Sequence, residues 1–152
     1  MMKRWLYKWG ALCFLPLLLA LSACKNSDDI DGIFLQRVWY VNLMFEEDGR
    51  TVGFTEAERT AISQSPKAYN IIFGENTFTV KCASSTFGGS WVVDGKNNTI
   101  GFTFTNSSQP ADPVGKKVYG VLKEAVRYEG NYNYLRIFTK SGVSILFAPN
   151  NE

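Results

Sequence analysis

The chain has 152 residues, 45% of them hydrophobic and 14% aromatic, with 16 Lys and Arg against 14 Asp and Glu and no histidine. That length suits one domain with a sizeable core, and the near balance of charge leaves neither a nucleic-acid footprint nor a polybasic membrane patch. Without histidine the commonest general base and the usual zinc ligand are missing together, which excludes serine triads and Cys-His dyads.

Lys3, Arg4 and Lys8 form a positive start, and the apolar run from Ala11 to Leu21 has the length of a signal-peptide core. It is shorter than the roughly 20 apolar residues of a spanning helix, and Pro16 interrupts it. Ser22 and Ala23 are small enough to enter a peptidase cleft. Leu21-Ser22-Ala23-Cys24 resembles the lipobox of bacterial lipoproteins. That resemblance implies cleavage of residues 1–23, a diacylglyceryl thioether on Cys24, and enough acyl chains on one residue for stable anchoring. Cleavage removes three of the 16 cations and leaves 13 against 14 acidic residues, a net charge of about −1. Cys13 leaves with the leader, so with Cys24 acylated no disulfide partner remains for Cys82.

Residues 24–33, acidic through Asp28, Asp29 and Asp31, read as a flexible tether. The stretch is similar to the acidic export signal of some Bacteroides-group lipoproteins, which implies an outer-membrane location facing either the cell surface or the periplasm. It also imitates part of a calcium loop. However, Ser27 is a poor first ligand and Val38 stands where a glutamate is needed, so neither a metal nor a cofactor is expected.

A single β-rich domain should then occupy residues 34–152. Arg37 to Phe45 reads as a first strand ending at the Asp48-Gly49 turn. Thr55 to Glu58 (TEAE) fits a capping box, so a short helix should follow and stop near Ser65-Pro66. Tyr69, Ile71 and Phe73, a Gly74-Glu75-Asn76 turn, and Phe78, Val80 and Cys82 predict a hairpin with one inward face, on which Cys82 serves as a small apolar group. Ser90 to Val93 and Thr99 to Thr105 predict a second hairpin, with Ile100, Phe102 and Phe104 inward. Asn106 to Gly115 reads as a loop, and Lys116 to Tyr128 as a helix carrying Val118, Leu122 and Ala125 on one stripe. Tyr134 to Thr139 and Val143 to Ala148 close the chain as a last hairpin.

The fold class expected from this order is mainly β (α+β): a curled antiparallel sheet or partly open barrel of about six to eight strands with one or two short helices. IIFGENTFTV, FGGSW before a DG turn, VLKEAVRYEG and the closing YLRIFTKSGVSILF resemble the META/HslJ-type lipoprotein domain over about Ile71 to Phe147. The Gly-Cys-Asn triplet of that family is replaced here by Lys81-Cys82-Ala83. The resemblance implies envelope lipoproteins with stress or surface roles and no assigned reaction. A lipocalin-like barrel, opening with Trp39, is the alternative architecture; it demands an open interior, whereas a META-like sheet fills its interior with phenylalanines.

No GxSxG or P-loop spacing occurs, and the one SxxK match (Ser22 to Lys25) lies inside the lipobox. Glu46, Glu47 and Asp48 are consecutive, so they point apart on a strand and read as a charged hairpin tip rather than a catalytic carboxylate pair. The most site-like segment is Tyr128 to Tyr134: Tyr128, Tyr132 and Tyr134 offer flat amphipathic area, and Asn131 and Asn133 add adaptable hydrogen bonds, a combination suited to a glycan or a protein. Trp91, after Gly88 and Gly89, belongs either to a ligand approach or to a glycine bulge with the indole in the core. The function expected is a non-enzymatic, lipid-anchored binding or structural module. A carrier of a small apolar ligand is the alternative, and chemistry based on carboxylates alone stays open as a third.

Overall fold

The computed structural model describes residues 27–35, 37–105 and 109–149; the predicted signal peptide and Cys24 lie outside them. Eight strands form a closed barrel in chain order: β1 (Val38–Phe45), β2 (Asn70–Phe73), β3 (Thr77–Lys81), β4 (Thr86–Asp94), β5 (Thr99–Phe104), β6 (Ala125–Asn131), β7 (Tyr134–Thr139) and β8 (Ser144–Pro149). Each pairs antiparallel with its neighbours, and β8 returns to β1 through pairs such as Val41 with Phe147. The mainly β expectation holds, and the barrel is closed rather than partly open. The seam between β5 and β6 is the sparsest junction, registered at the single pair Thr99 and Arg127.

Eight strands enclose a space just wide enough for side chains to fill. Alternate residues fill it here: Trp39, Ile71, Phe73, Phe78, Val80, Trp91, Ile100, Leu135, Ile137, Ile145 and Phe147 are all buried. A bulge between Val41 and Leu43 shifts the inward phase of β1, so Met44 is buried in place of Leu43. Gly88 and Gly89 lie within β4, where a Cβ would overlap the carbonyl oxygens of Phe78 and Thr103 on the strands either side. Close strand approach therefore requires glycine there, and Trp91 turns into the core.

Three helices complete the fold: α1 (Ser27–Phe34), α2 (Glu56–Gln64) and α3 (Pro113–Lys123). The capping box of α2 forms as the sequence predicts: the Thr55 amide donates to Glu58 Oε2 at 2.7 Å, and the Glu58 amide donates to Thr55 Oγ1 at 3.3 Å. For α3, Asp112 is the N-cap, accepting from the Gly115 amide, and Pro113 opens the helix inside the stretch read as a loop. Residues 106–108 of that stretch lie outside the described residues.

Two expectations are corrected. The helix expected over Lys116 to Tyr128 stops at Lys123, and Ala125–Asn131 forms β6. Val118 and Leu122 do make a buried stripe, but beyond Glu124 the chain pairs with β7, and the Arg127 guanidinium lies 3.8 Å from the centre of the Phe138 ring opposite. The flexible tether expected over residues 24–33 is corrected where the structure describes it, because Ser27–Phe34 is helical. Its last two residues, Ile33 and Phe34, are buried on the barrel, which gives this polar stretch the apolar anchor a free tether lacks.

The barrel ends are covered differently. At one end α3 packs Val114, Val118 and Leu122 inward, with Tyr119 against Phe87 and Phe104. Lys117 of α3 donates to the Gly53 carbonyl and to Glu58, each at 2.7 Å, and so ties α3 to α2. At the other end α1 inserts Phe34 among Phe73, Trp91 and Tyr128, each ring centre 5.0 Å from its own.

Candidate functional site

The end covered by α1 brings the candidate tyrosines together with α1 itself. The Trp39 indole N–H donates to the Ile33 carbonyl at 3.0 Å, satisfying an orphan acceptor at the end of α1. The Trp91 indole N–H donates to the Gly74 carbonyl at 2.9 Å. Both interior tryptophans thus spend their polar atom on backbone at this end and leave their rings in the core.

Asn131, Tyr132, Asn133 and Tyr134 form the tip of the β6–β7 hairpin, a two-residue turn between the paired Asn131 and Tyr134. Asn131 Oδ1 accepts from the Asn133 amide at 2.7 Å, which fixes the turn through an Asx bond. Tyr132 is 53% exposed and Tyr134 37%. Arg37 donates to the Tyr132 carbonyl at 2.6 Å and sets its guanidinium 5.0 Å from the ring centre. The Tyr132 hydroxyl reaches over Gly32, so this side chain also holds α1 down.

Tyr128 is a correction. It was expected on the same surface, yet it is 4% exposed and faces the interior edge-on to Phe34. A bulge between Ala125 and Arg127 sets the phase of β6 and turns Tyr128 inward, so four of the five candidates share a surface and the fifth supports it from below.

Two clefts flank α1, and Ile30 lines both. One, of about 340 Å³, lies between α1 and the tips of β4–β5 and β6–β7, with Asn98, Tyr128, Glu129 and Tyr134 in its walls. The other, of about 300 Å³, lies toward β2–β3 and β4, with Asp31, Glu75, Asn76, Trp91 and Val92. Ile30 and Asn98 have no sequence signal for a site, and Asn76 is legible only as a turn residue. They reach the site through the barrel closure and the docking of α1.

The remaining candidates fall into structural positions. Asp29 and Asp31, read as partial calcium ligands, belong to a helix and not to a binding loop, and Val38 begins β1. Among the described residues no group of three or more His, Cys, Asp or Glu is placed to hold a metal ion. Asp48 accepts from the Arg50 and Thr51 amides and from the Thr51 hydroxyl, and the Thr51 bonds before all hold its carboxyl below the usual range. It organises a turn at the α3 end of the barrel.

Cys82 is half-buried beside Gly115, and burial first, then the charge of Asp112, pushes its thiol up to about 12. That environment favours the protonated thiol at neutral pH and suits a packing group. Burial, followed by Asp112 and Cys82, also raises Tyr69, which is hydrogen-bonded to Asp112. Asp112 is engaged too by Ser84 Oγ at 3.0 Å.

A family model described as a domain of unknown function, DUF4847, matches residues 25–148. The chain belongs to the DUF4847 family. The META/HslJ resemblance is superseded by this match. The DUF4847 barrel is similar to the crystal structure of a DUF4847 family protein from Bacteroides vulgatus, at 24% identity and a TM-score of 0.64, over 81% of this chain and 99% of that one. It is also similar to the NMR structure of a protein from Burkholderia xenovorans, at 13% identity and a TM-score of 0.53, over 78% and 85% of the two chains. At these identities the likeness is one of fold. No curated protein matches the chain significantly. Among the described residues no helix is long and apolar enough to cross a membrane.

Proposed function

We propose that this DUF4847 protein is a lipid-anchored, non-enzymatic module of the outer membrane, attached through Cys24 and working by surface contact. The observation that carries the reading is the filled interior. Phe73, Phe78, Trp91, Phe102 and Phe104 make ring contacts at 4.8–6.2 Å through the barrel, and α1 and α3 cover its ends. With the interior given to packing, the exposed tip of Asn131, Tyr132, Asn133 and Tyr134 and the clefts beside α1 are the surfaces left for recognition.

The lipobox-like Leu21 to Cys24 supports the anchor, and the family match begins at Lys25, the residue after the cysteine. Expression of the full chain with Cys24→Ser should move the protein from the membrane fraction to the soluble fraction, and the N-terminal peptide of the native protein should carry the mass of an acylated cysteine. A soluble native protein with an unmodified Cys24 would end the reading.

The closed eight-stranded architecture favours one second reading, a lipocalin-like carrier of a small apolar ligand. Native mass spectrometry of the mature domain separates the two. The interaction module should fly as bare polypeptide, and a stoichiometric lipid or small molecule would favour the carrier.

A further inference from the structure

We infer that the α1 end of the barrel rests on the membrane that holds the acyl chains, with the β6–β7 tip at the lipid headgroups; the inference rests on the Cys24 anchor proposed above. Antiparallel closure in chain order sorts every connection to one end or the other. The tips at Gly74–Asn76, Gly95–Asn98 and Tyr132–Asn133 lie at the α1 end, and the turns at 46–51, 82–85 and 140–142 lie at the end covered by α3.

Chain length then fixes which end meets the lipid. Three peptide steps separate Cys24 from Ser27, a reach of at most roughly 11 Å. Beyond Ser27 no slack is left, because α1 is fixed to the barrel by Phe34, by the Trp39 bond to Ile33 and by Tyr132 over Gly32. The opposite end lies a strand length further, roughly 20 Å away. A ten-residue flexible tether would have let the domain tumble; a docked helix does not.

The chemistry of this end suits that neighbour. Tyr132 and Tyr134 are amphipathic rings of the kind enriched at the membrane–water interface, and Val92 beside α1 is 72% exposed. Charges around them are mixed: Asp31, Glu75, Asp94 and Glu129 against Arg37 and Lys96. The contact therefore needs no anionic lipid, and the acyl chains supply the affinity while the tyrosines set the orientation.

The test uses the full lipidated protein in vesicles of zwitterionic phosphatidylcholine. Lys96→Cys, Glu75→Cys and Lys140→Cys variants, each in a Cys82→Ala background and each leaving Tyr132 and Tyr134 in place, carry a fluorophore, and a headgroup nitroxide lipid is the quencher. Labels at 75 and 96 should be quenched several-fold more than the label at 140, with no dependence on salt. Equal quenching at the three positions, or stronger quenching at 140, overturns the orientation. A glycan or protein as the true occupant of the tip would likewise leave 75 and 96 beyond the quencher. The mass of the N-terminal peptide is read on the same samples: an acylated Cys24 with unquenched 75 and 96 refutes this inference alone, and an unmodified Cys24 refutes the anchor as well.

Discussion

Lys117 and Glu58 show how one partly buried pair couples two helices to pH. Burial alone would raise the Glu58 carboxyl, but the bonds from Lys117 and Thr55 outweigh it and hold the group below its ordinary value of 4.5. Its contribution to stability is thus present above that value and is lost as pH falls through the lower folded value. Lys117→Met should cost roughly 1.5–3 kcal/mol near neutral pH, and the gap to the native chain should shrink on acidification, read by urea denaturation across pH. Cys82 has the opposite sign. Its folded value of about 12 exceeds the ordinary 9.0, so stability is unaffected below about 9 and falls as pH rises toward 12. At neutral pH the native protein should resist a maleimide that labels the denatured chain within minutes; rapid native labelling would place the thiol at the surface. The inward lean of Cys82 was legible from Phe78 and Val80, because β3 keeps period two up to Lys81 and the next residue continues that phase into the turn, where it stays half-buried against the core. Tyr128 was not legible, because the bulge that turns it inward leaves no mark in composition.

Elements differ in how much of their stability is their own. The capping box of α2 is written in four residues and forms as predicted. Helix α1 has no comparable signal: its acidic residues suggest solvent, and what binds it to the barrel is tertiary, chiefly Phe34 meeting rings from β2, β4 and β6, with the Trp39 bond to the Ile33 carbonyl and Tyr132 over Gly32 beside it. Phe34→Ala should cost about 3–5 kcal/mol and loosen α1 first, visible as faster amide exchange in residues 30–35 than in β7 and β8. Uniform acceleration across the barrel would instead make α1 part of the global folding unit. The boundary between α3 and β6 leaves no local mark for a related reason. Val118, Leu122 and Ala125 keep helical spacing across Glu124, so the helix pattern continues past the point where the backbone leaves it.

For the whole molecule, alternation and turn chemistry carried the mainly β class, while closure did not follow from any local pattern: it depends on β1 meeting β8 across the length of the domain. The tip from Asn131 to Tyr134 was visible in the sequence as a segment, and its neighbours Ile30 and Glu75 were not, since they come from elements distant in the chain. Gly89→Ala tests the closeness of the barrel wall. With the Thr103 carbonyl in the way and no flexible side chain to yield, it should cost roughly 3 kcal/mol or more by thermal unfolding, whereas Gly120→Ala, in open space on α3, should be neutral or stabilising.

The seam at Thr99 and Arg127 has a consequence for assembly. A closed barrel offers no free strand edge to a stranger, and this one can acquire an edge at least cost by parting β5 from β6. Two parted copies could each lend a strand to the other, so concentrated, warmed protein should give strand-exchanged dimers through this junction. A disulfide stitched across it should keep the protein monomeric.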